Sequence, residues 1–523
     1  MLEKIGLYAW TIRYMKPEQV FWRVGKRLGL KCALKGSRPV RGTAPRQVVA
    51  LPELDFDPVF LQRFDAEALM ADRVTFLHET EAFAWDEPWK RPERAALWNF
   101  NLHYFEFLHP LVRRYLETGD EKFLRKTEQT IRGWMQQNPQ SGGGDGWAAY
   151  TLSLRLTNWL AFYASLGNRL DEAFRKDMEE SMYAQYVYLS GHLEKDILGN
   201  HYFENLKALV LCALFFGDAD ALPVYLAAFR AECREEILPD GMHFERSPMY
   251  HKIVLEGLLR VAVSLRAANM PDAELERLAG KMLTAACSME QGLARTPLFN
   301  DSGDNVAKSL NALRRCAGQH LHLVPEYRAS FPDSGFYIFT NHAWKLIVDA
   351  GAAGPDYIPG HAHCDAMSFE LYRNGQPVLV NCGTYAYQCA ERHWFRSTEA
   401  HNTVQIAGTE QSEIWSVFRL ARRSKTQVLE LRENGLRMEM TDYKGNRIQR
   451  DIRLEADALY IQDHAPGKQL QSRLHSINDI NIESNATLLR GEAMYAPEYG
   501  LRQTIQQITA VGDGTVKLTI PLK

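Results

Sequence analysis

The 523-residue chain has no stretch of about 18 consecutive apolar residues, so no segment is expected to cross a bilayer as a helix. Its opening, Met1-Leu2-Glu3-Lys4-Ile5-Gly6-Leu7-Tyr8, lacks the charged start and clean apolar core of an export signal. Cysteine is sparse. The eight residues Cys32, Cys212, Cys233, Cys287, Cys316, Cys364, Cys382 and Cys389 are scattered, without a CxxC pair or zinc-finger spacing. That excludes a dense disulfide scaffold and leaves small buried residues as the reading. Neither sign of charge is in excess: the formal net charge of −3 gives no reason to expect nucleic acid as a partner, although a local basic groove for an acidic polymer stays open. No internal repeat or low-complexity segment is found. What is present, 46% hydrophobic and 24% charged residues, is ordinary for a globular protein and too long for one core, so two or three domains are expected.

Residues 1–60 read as a leader. The segment through Met15-Lys16 and Phe21-Trp22-Arg23-Val24-Gly25-Lys26-Arg27 is basic and amphipathic, suited to packing on the body, to a membrane surface or to an assembly partner. Pro39, Pro45, Pro52 and Pro58 then break any long periodicity. From 61 to 325 apolar residues recur at i, i+3, i+4 and i+7, predicting helices over 120–137, 152–166, 171–193, 202–216, 219–237 and 251–268, joined by short Gly/Asp/Pro turns. Many such helices suggest an antiparallel array or toroid. From 326 to 523 the texture alternates, predicting strands over 335–340, 344–350, 367–373, 377–381, 403–406, 427–431, 436–440 and 459–463, with Asn374-Gly375 as a hairpin turn and Gly512-Asp513-Gly514 as a turn before a last strand over 515–522. The fold class is α+β: an incomplete (α/α) toroid followed by an antiparallel β-sandwich, with a cleft where the halves meet near residues 320–335.

Two histidines one residue apart, in Gly360-His361-Ala362-His363-Cys364-Asp365, share a side if the segment is extended, and can split proton transfer from metal binding or orientation. Four clusters in the helical half mix aromatic rings with amides and charges: Trp98-Asn99-Phe100-Asn101-Leu102-His103, Gly146-Trp147 through Tyr150 and Arg155 to Asn158-Trp159, Gly199-Asn200-His201 with Glu204, and Asp240 to His251. Rings stack on sugars while Asn, Arg and His read hydroxyls and carboxylates, so the candidates to line a carbohydrate cleft are Asn99, Asn101, His103, Trp147, Tyr150, Arg155, Glu204, Glu245, Arg246 and His251. The tryptophans equally suit a core. Asn200 suits a helix N-cap, and Ser247-Pro248 an N-cap followed by N1.

Gly199-Asn200-His201, Asp240-Gly241 with Glu245, Ser247-Pro248 and Tyr250-His251, then Asp301-Ser302-Gly303-Asp304, His361-Ala362-His363-Cys364-Asp365, Ser368-Phe369 and Ala400-His401-Asn402 resemble, in order and spacing, the heparinase II/III superfamily of polysaccharide lyases. The resemblance covers roughly residues 95 to 420. It implies the same toroid and sandwich, and β-elimination at uronic-acid linkages of an acidic polysaccharide or oligosaccharide. In that chemistry a neutraliser must hydrogen-bond the uronate carboxylate, a base takes the C5 proton and an acid protonates the departing O4. By resemblance Asn200 or His201 is the neutraliser, and Tyr250 and His361 share the roles of base and acid. Tyr250 would need a cationic neighbour to act as the base, with His251 or Arg246 as candidates.

The resemblance further implies one structural metal, usually zinc, on His363 and His401. Asn381 stands where the family carries aspartate, and a neutral amide is a poor zinc ligand. Binding is then weak, or Cys382 or Asp365 substitutes, or hydrogen bonds hold a metal-free pocket. Alternative functions are a glycoside hydrolase using two of Asp240, Glu245, Asp301 and Asp304, or a non-catalytic glycan-binding protein of a polysaccharide biosynthesis system. A cupin fits the His-x-His pair but not the glutamate spacing. By sequence the chain reads as cytoplasmic, whereas the substrate class points to the periplasm or cell surface.

Overall fold

The computed structural model describes residues 2–42, 47–139 and 143–522. Of the leader prolines, Pro45 lies outside the described residues. Ten helices of nine or more residues, from Ala96–Tyr104 to Leu310–Leu321, occupy the first part of the described chain after the leader. Their starts follow from local chemistry. Asp171 accepts a hydrogen bond from the Phe174 amide at 2.8 Å, Asp272 from the amides of Glu274 and Leu275, and Ser309 from Ala312, each satisfying amides that a first turn leaves unpaired. Gly119 and Gly217, at φ +71° and +65°, end two of them in the left-handed conformation that glycine tolerates.

The helix Asn200–Phe216 is apolar on nearly all sides and is buried accordingly. It packs against Ala149–Leu166, Glu172–Ser190, Leu222–Glu236 and Pro248–Ala267, and Leu206, Leu209 and Phe215 join Leu156, Val254 and Leu258 in one core. Asn200 is the first residue of this helix rather than its cap, which is Gly199. The leader carries two helices, Leu2–Tyr14 and Pro17–Arg27, and two one-turn helices, Pro52–Asp55 and Pro58–Leu61.

Apart from two small pairs, Arg73–Phe76 with Glu79–Ala82 and Ile414–Ser416 with Arg419–Leu420, the described strands run from Ser330–Phe331 onward and form one hydrogen-bonded antiparallel network, folded over a core that includes Leu346, Phe369, Leu436, Ile452, Leu474 and Val516. Asn374 and Gly375, at φ +49° and +78°, make the two-residue turn joining Arg373 to Gln376. The last part of the chain differs from the sequence expectation. Gly512-Asp513-Gly514 is not a turn but lies inside the 21-residue strand Leu501–Pro521, which pairs with the 19-residue strand Ala458–Ser476. The register jumps there, from His464 opposite Thr515 to Gln469 opposite Asp513. The glycines serve a bulge that bends a long strand.

The halves are joined by polar contacts as well as packing. The Asp240 carboxylate accepts from the Ser334 amide at 2.7 Å and from its hydroxyl at 3.0 Å, and Arg246 donates to the Ser334 carbonyl at 2.8 Å.

Candidate active site

Three segments converge at this seam. The first is the start of the helix Asn200–Phe216. Gly199 sits at φ +59°, and a Cβ there would lie 2.8 Å from Ile358 and 3.3 Å from a Glu245 carboxylate oxygen, so only glycine allows the approach. Asn200 is buried with its carbonyl oxygen unpaired. His201 is half-buried, its ring 4.4 Å from that of Tyr150 and its Nδ1 3.1 Å from Glu194. Burial would raise the Glu194 carboxyl, but His201 and Asn205 bring it below its ordinary value, so it is ionised and orients the imidazole.

The second segment is the start of the helix Pro248–Ala267. The Ser247 hydroxyl caps it by accepting from the Tyr250 amide at 3.2 Å and donates to the Asp301 carbonyl at 2.6 Å. Tyr250 is thereby fixed in the first turn beside the Asp301 loop. Burial pushes its phenol well above the ordinary value, so it holds its proton. It opens a chain of three phenols: Tyr250 to Tyr387 at 2.7 Å and Tyr387 to Tyr499 at 2.8 Å.

The third segment carries the histidines. It is not a strand: Pro359–His361 forms a single tight turn, and His363 follows in irregular backbone. Arg396, which donates to the Ala362 and Pro359 carbonyls, holds the segment there. Both histidines reach Asp301, His361 Nδ1 meeting one carboxylate oxygen and His363 Nε2 the other, each at 2.9 Å. The Thr384 hydroxyl donates to Asp301 at 3.0 Å, and both terminal nitrogens of Arg392 donate to it. Burial opposes the charge on Asp301, but Arg392 and the two imidazoles hold its carboxyl well below the ordinary range. An ionised Asp301 only accepts, so His361 donates through Nδ1, and in the neutral ring that tautomer carries its lone pair on Nε2. The His361 ring lies 4.1 Å from that of Tyr250. Glu245 is buried with both carboxylate oxygens unpaired, and burial pushes its carboxyl up to about 7 while His361 pulls it down.

Other sequence candidates are committed elsewhere. The Asn99 side chain accepts from the Arg91 amide and donates to the Arg91 carbonyl. Asn101 bonds the Leu97 carbonyl and Arg63, and His103 accepts from the Trp134 indole. Trp147 donates to the Asn138 carbonyl. Arg155, fully buried, bonds Gln185 and lies 3.9 Å over the Trp134 ring. With Trp98 and Trp159 these groups form the interior of the helical array rather than a platform for sugar. Glu204 pairs with Lys207, leaving Glu194 as the partner of His201. His251 is locked between the His243 amide and the Met282 carbonyl, and burial pulls it down to about 4. It is therefore neutral, and Arg246 donates to the Ser334 and Phe244 carbonyls, so neither supplies Tyr250 with a cation. The cation of this site is Arg392, through Asp301.

The residues expected to share a metal do not converge on one point. His401 meets His363 through Nε2 at 3.3 Å and Asn381 through Nδ1 at 3.2 Å, the two nitrogens facing different partners. Among the described residues no group of three His, Cys, Asp or Glu is placed to hold an ion, which leaves Cys382 and Asp365 outside such a set. Two imidazoles and an amide arranged this way do not fit zinc.

Asp301 belonged to a sequence motif, but its role did not show. Arg392, Tyr387 and Tyr499 carried no local signal, because they reach the site from loops distant in the chain.

The chain thus sets an antiparallel sandwich on a helical array and brings Tyr250, His361 and Asp301 together at the seam. Family models identify it further: the heparinase II/III N-terminus matches residues 66–328 and the heparinase II/III-like C-terminal domain residues 324–518, and the chain belongs to this family. It is 23% identical over 357 residues to a heparin-sulfate lyase of Pedobacter heparinus, covering 61% of this chain and 53% of that protein. It is 21% identical over 392 residues to one of Bacteroides stercoris, covering 64% and 57%. The match thus spans about half the length of these relatives. Among solved structures, heparinase III superposes with a TM-score of 0.67 at 15% identity, covering 96% of this chain and 91% of that one. A heparan sulfate lyase of Pedobacter heparinus gives 0.55 at 18%, covering 96% and 87%.

Proposed function

We propose that the protein is a polysaccharide lyase that cleaves a uronate-containing acidic polysaccharide by β-elimination. The observation that carries this is the His361–Tyr250 pair, a base with one nitrogen committed to a carboxylate against a phenol kept protonated by burial. The uronate carboxylate is received at Asn200, beside the His201 ring that Glu194 holds, and the Asn200 amide NH2 donates to it and stabilises the second negative charge that develops as C5 loses its proton. His361 Nε2 takes the C5 proton, and Asp301 stabilises the imidazolium. The C5 electron pair forms the C4=C5 bond as the C4–O4 bond breaks, and Tyr250 protonates O4. The Tyr387–Tyr499 chain gives the resulting phenolate a hydrogen-bonded route to a new proton.

A hydrolase needs two free carboxyls across the bond. Asp240 is spent on Ser334, Asp301 on Arg392 and the histidines, and Asp304 on the Thr296 amide, leaving Glu245 without a partner acid. The relatives' names make heparan-type glycosaminoglycans the first polymers to test. Incubation with a panel of uronate polymers, read by ultraviolet absorbance of the unsaturated product, is expected to give a rise with one of them. Saturated products would select the hydrolase, and binding without turnover a glycan-binding role.

A further inference from the structure

The leader helices Leu2–Tyr14 and Pro17–Arg27 each dock one face on the body. The Trp415 indole donates to the Thr11 hydroxyl at 3.1 Å, Arg423 lies 4.1 Å from the Tyr14 ring, and Gln19 donates to the Ile197 carbonyl at 2.9 Å and the Tyr357 carbonyl at 3.3 Å. Their opposite faces are apolar and uncovered. Among the described residues nineteen large hydrophobic side chains are exposed, and eight of them fall between Ile5 and Leu30. Ile5 and Ile12 are 57% and 55% exposed, Phe21 and Val24 60% and 54%, and Leu28 72%. Spacings of three, four and seven place these residues on one stripe of each helix. So dense a cluster on an otherwise ordinary surface marks a contact face.

Charge selects the partner. Between residues 3 and 31 there are seven Lys or Arg and two Glu, in a chain whose net charge is −3. A few of these cations are used internally, such as Lys16 on Glu235 and Arg23 on the Asp196 carbonyl. Arg27 and Lys31 are exposed at the end of the apolar stripe. An apolar stripe rimmed by cations on helices lying flat against a folded body fits the boundary between acyl chains and anionic headgroups. We infer that the leader helices dock the protein on an anionic lipid surface. The hairpin that holds Thr11 through Trp415 also presents Phe418, whose ring lies 6.4 Å from His361 and 5.2 Å from Tyr387. Docking therefore sets the rim of the cleft beside the bilayer. This inference does not depend on the reaction catalysed.

The test is co-sedimentation of the full chain with vesicles of phosphatidylcholine alone and of equimolar phosphatidylcholine and phosphatidylglycerol. Binding is expected to the mixed vesicles only, to weaken as salt screens the cations, and to fall about tenfold or more in Phe21→Ser/Val24→Ser/Leu28→Ser, each change removing apolar area from the contact. The melting temperature of this variant is expected to stay near that of the parent, since the three side chains are more than half exposed. Failure to sediment with mixed vesicles overturns the inference, as does equal sedimentation of parent and variant. A parent dimer dispersed by the same three changes, with no lipid binding, overturns it in favour of a second copy as the occupant.

Discussion

Replacing Asp301 by Asn keeps the shape of the side chain and removes its charge. Asp301, itself fully buried, accepts from His361, His363, Thr384 and both terminal nitrogens of Arg392. An amide has one accepting oxygen and places an NH2 where the other carboxylate oxygen was, so donors on that side face a donor. Arg392 is left buried without a counter-ion. Breaking a buried pair by removing one partner costs about 3–5 kcal/mol, which should appear as a lower denaturation midpoint. The catalytic effect is separate. Where the amide NH2 meets His361 Nδ1, that nitrogen becomes the acceptor, the proton moves to Nε2, and the base loses its lone pair toward the cleft. Loss of general-base catalysis lowers kcat by about 10²–10⁴-fold, measured as initial rate of ultraviolet absorbance per folded molecule, with KM little changed. A folded Asp301→Asn protein within about threefold of the parent kcat would refute the proposed role of the dyad.

Tyr250→Phe removes one phenol while the His361 ring contact and the Tyr387–Tyr499 bond remain, so stability should fall by only about 1 kcal/mol while kcat drops about 10²–10⁴-fold; calorimetry and rate assays check the two together. Protein purified without chelators should carry well under one equivalent of zinc by elemental analysis, since His363 and Asn381 meet opposite nitrogens of His401. Glu236 meets His243 at 3.0 Å, and burial pushes its carboxyl up to about 8. The folded state therefore keeps a proton that the unfolded chain has released above its ordinary value of 4.5. Stability from this group is full below about 4.5 and falls as pH rises to about 8, at up to about 1.4 kcal/mol per pH unit. Glu236→Gln, which cannot ionise, should flatten that slope in denaturation curves taken at successive pH values.

The change from helical to alternating periodicity near residue 325 was legible because both signals are local: Asn200–Phe216 and Gly435–Thr441 declare their period within a few residues. The two longest strands were not, since Gly512-Asp513-Gly514 read as a turn and only the partner strand shows that it bends a continuous one. The helical clusters show a different limit. Asn99, His103 and Arg155 have the residue types of a sugar cleft, yet each is satisfied inside the array by a carbonyl, an amide or an indole from another segment. Whether a polar side chain faces ligand or core depends on such long-range partners, which one sequence does not display. Tyr250 and His361 were readable as candidates because motifs surround them, whereas Arg392, Tyr387 and Tyr499 join them only through folding.

The most direct test is the mass balance of cleavage. Fragments from a defined uronate oligosaccharide treated with the purified protein are weighed by mass spectrometry. Elimination breaks the C4–O4 bond without adding water, so the account predicts fragment masses that sum to the parent, one of them carrying the C4=C5 bond, and no fragments with His361→Ala. Fragment masses that sum to the parent plus one water would contradict it.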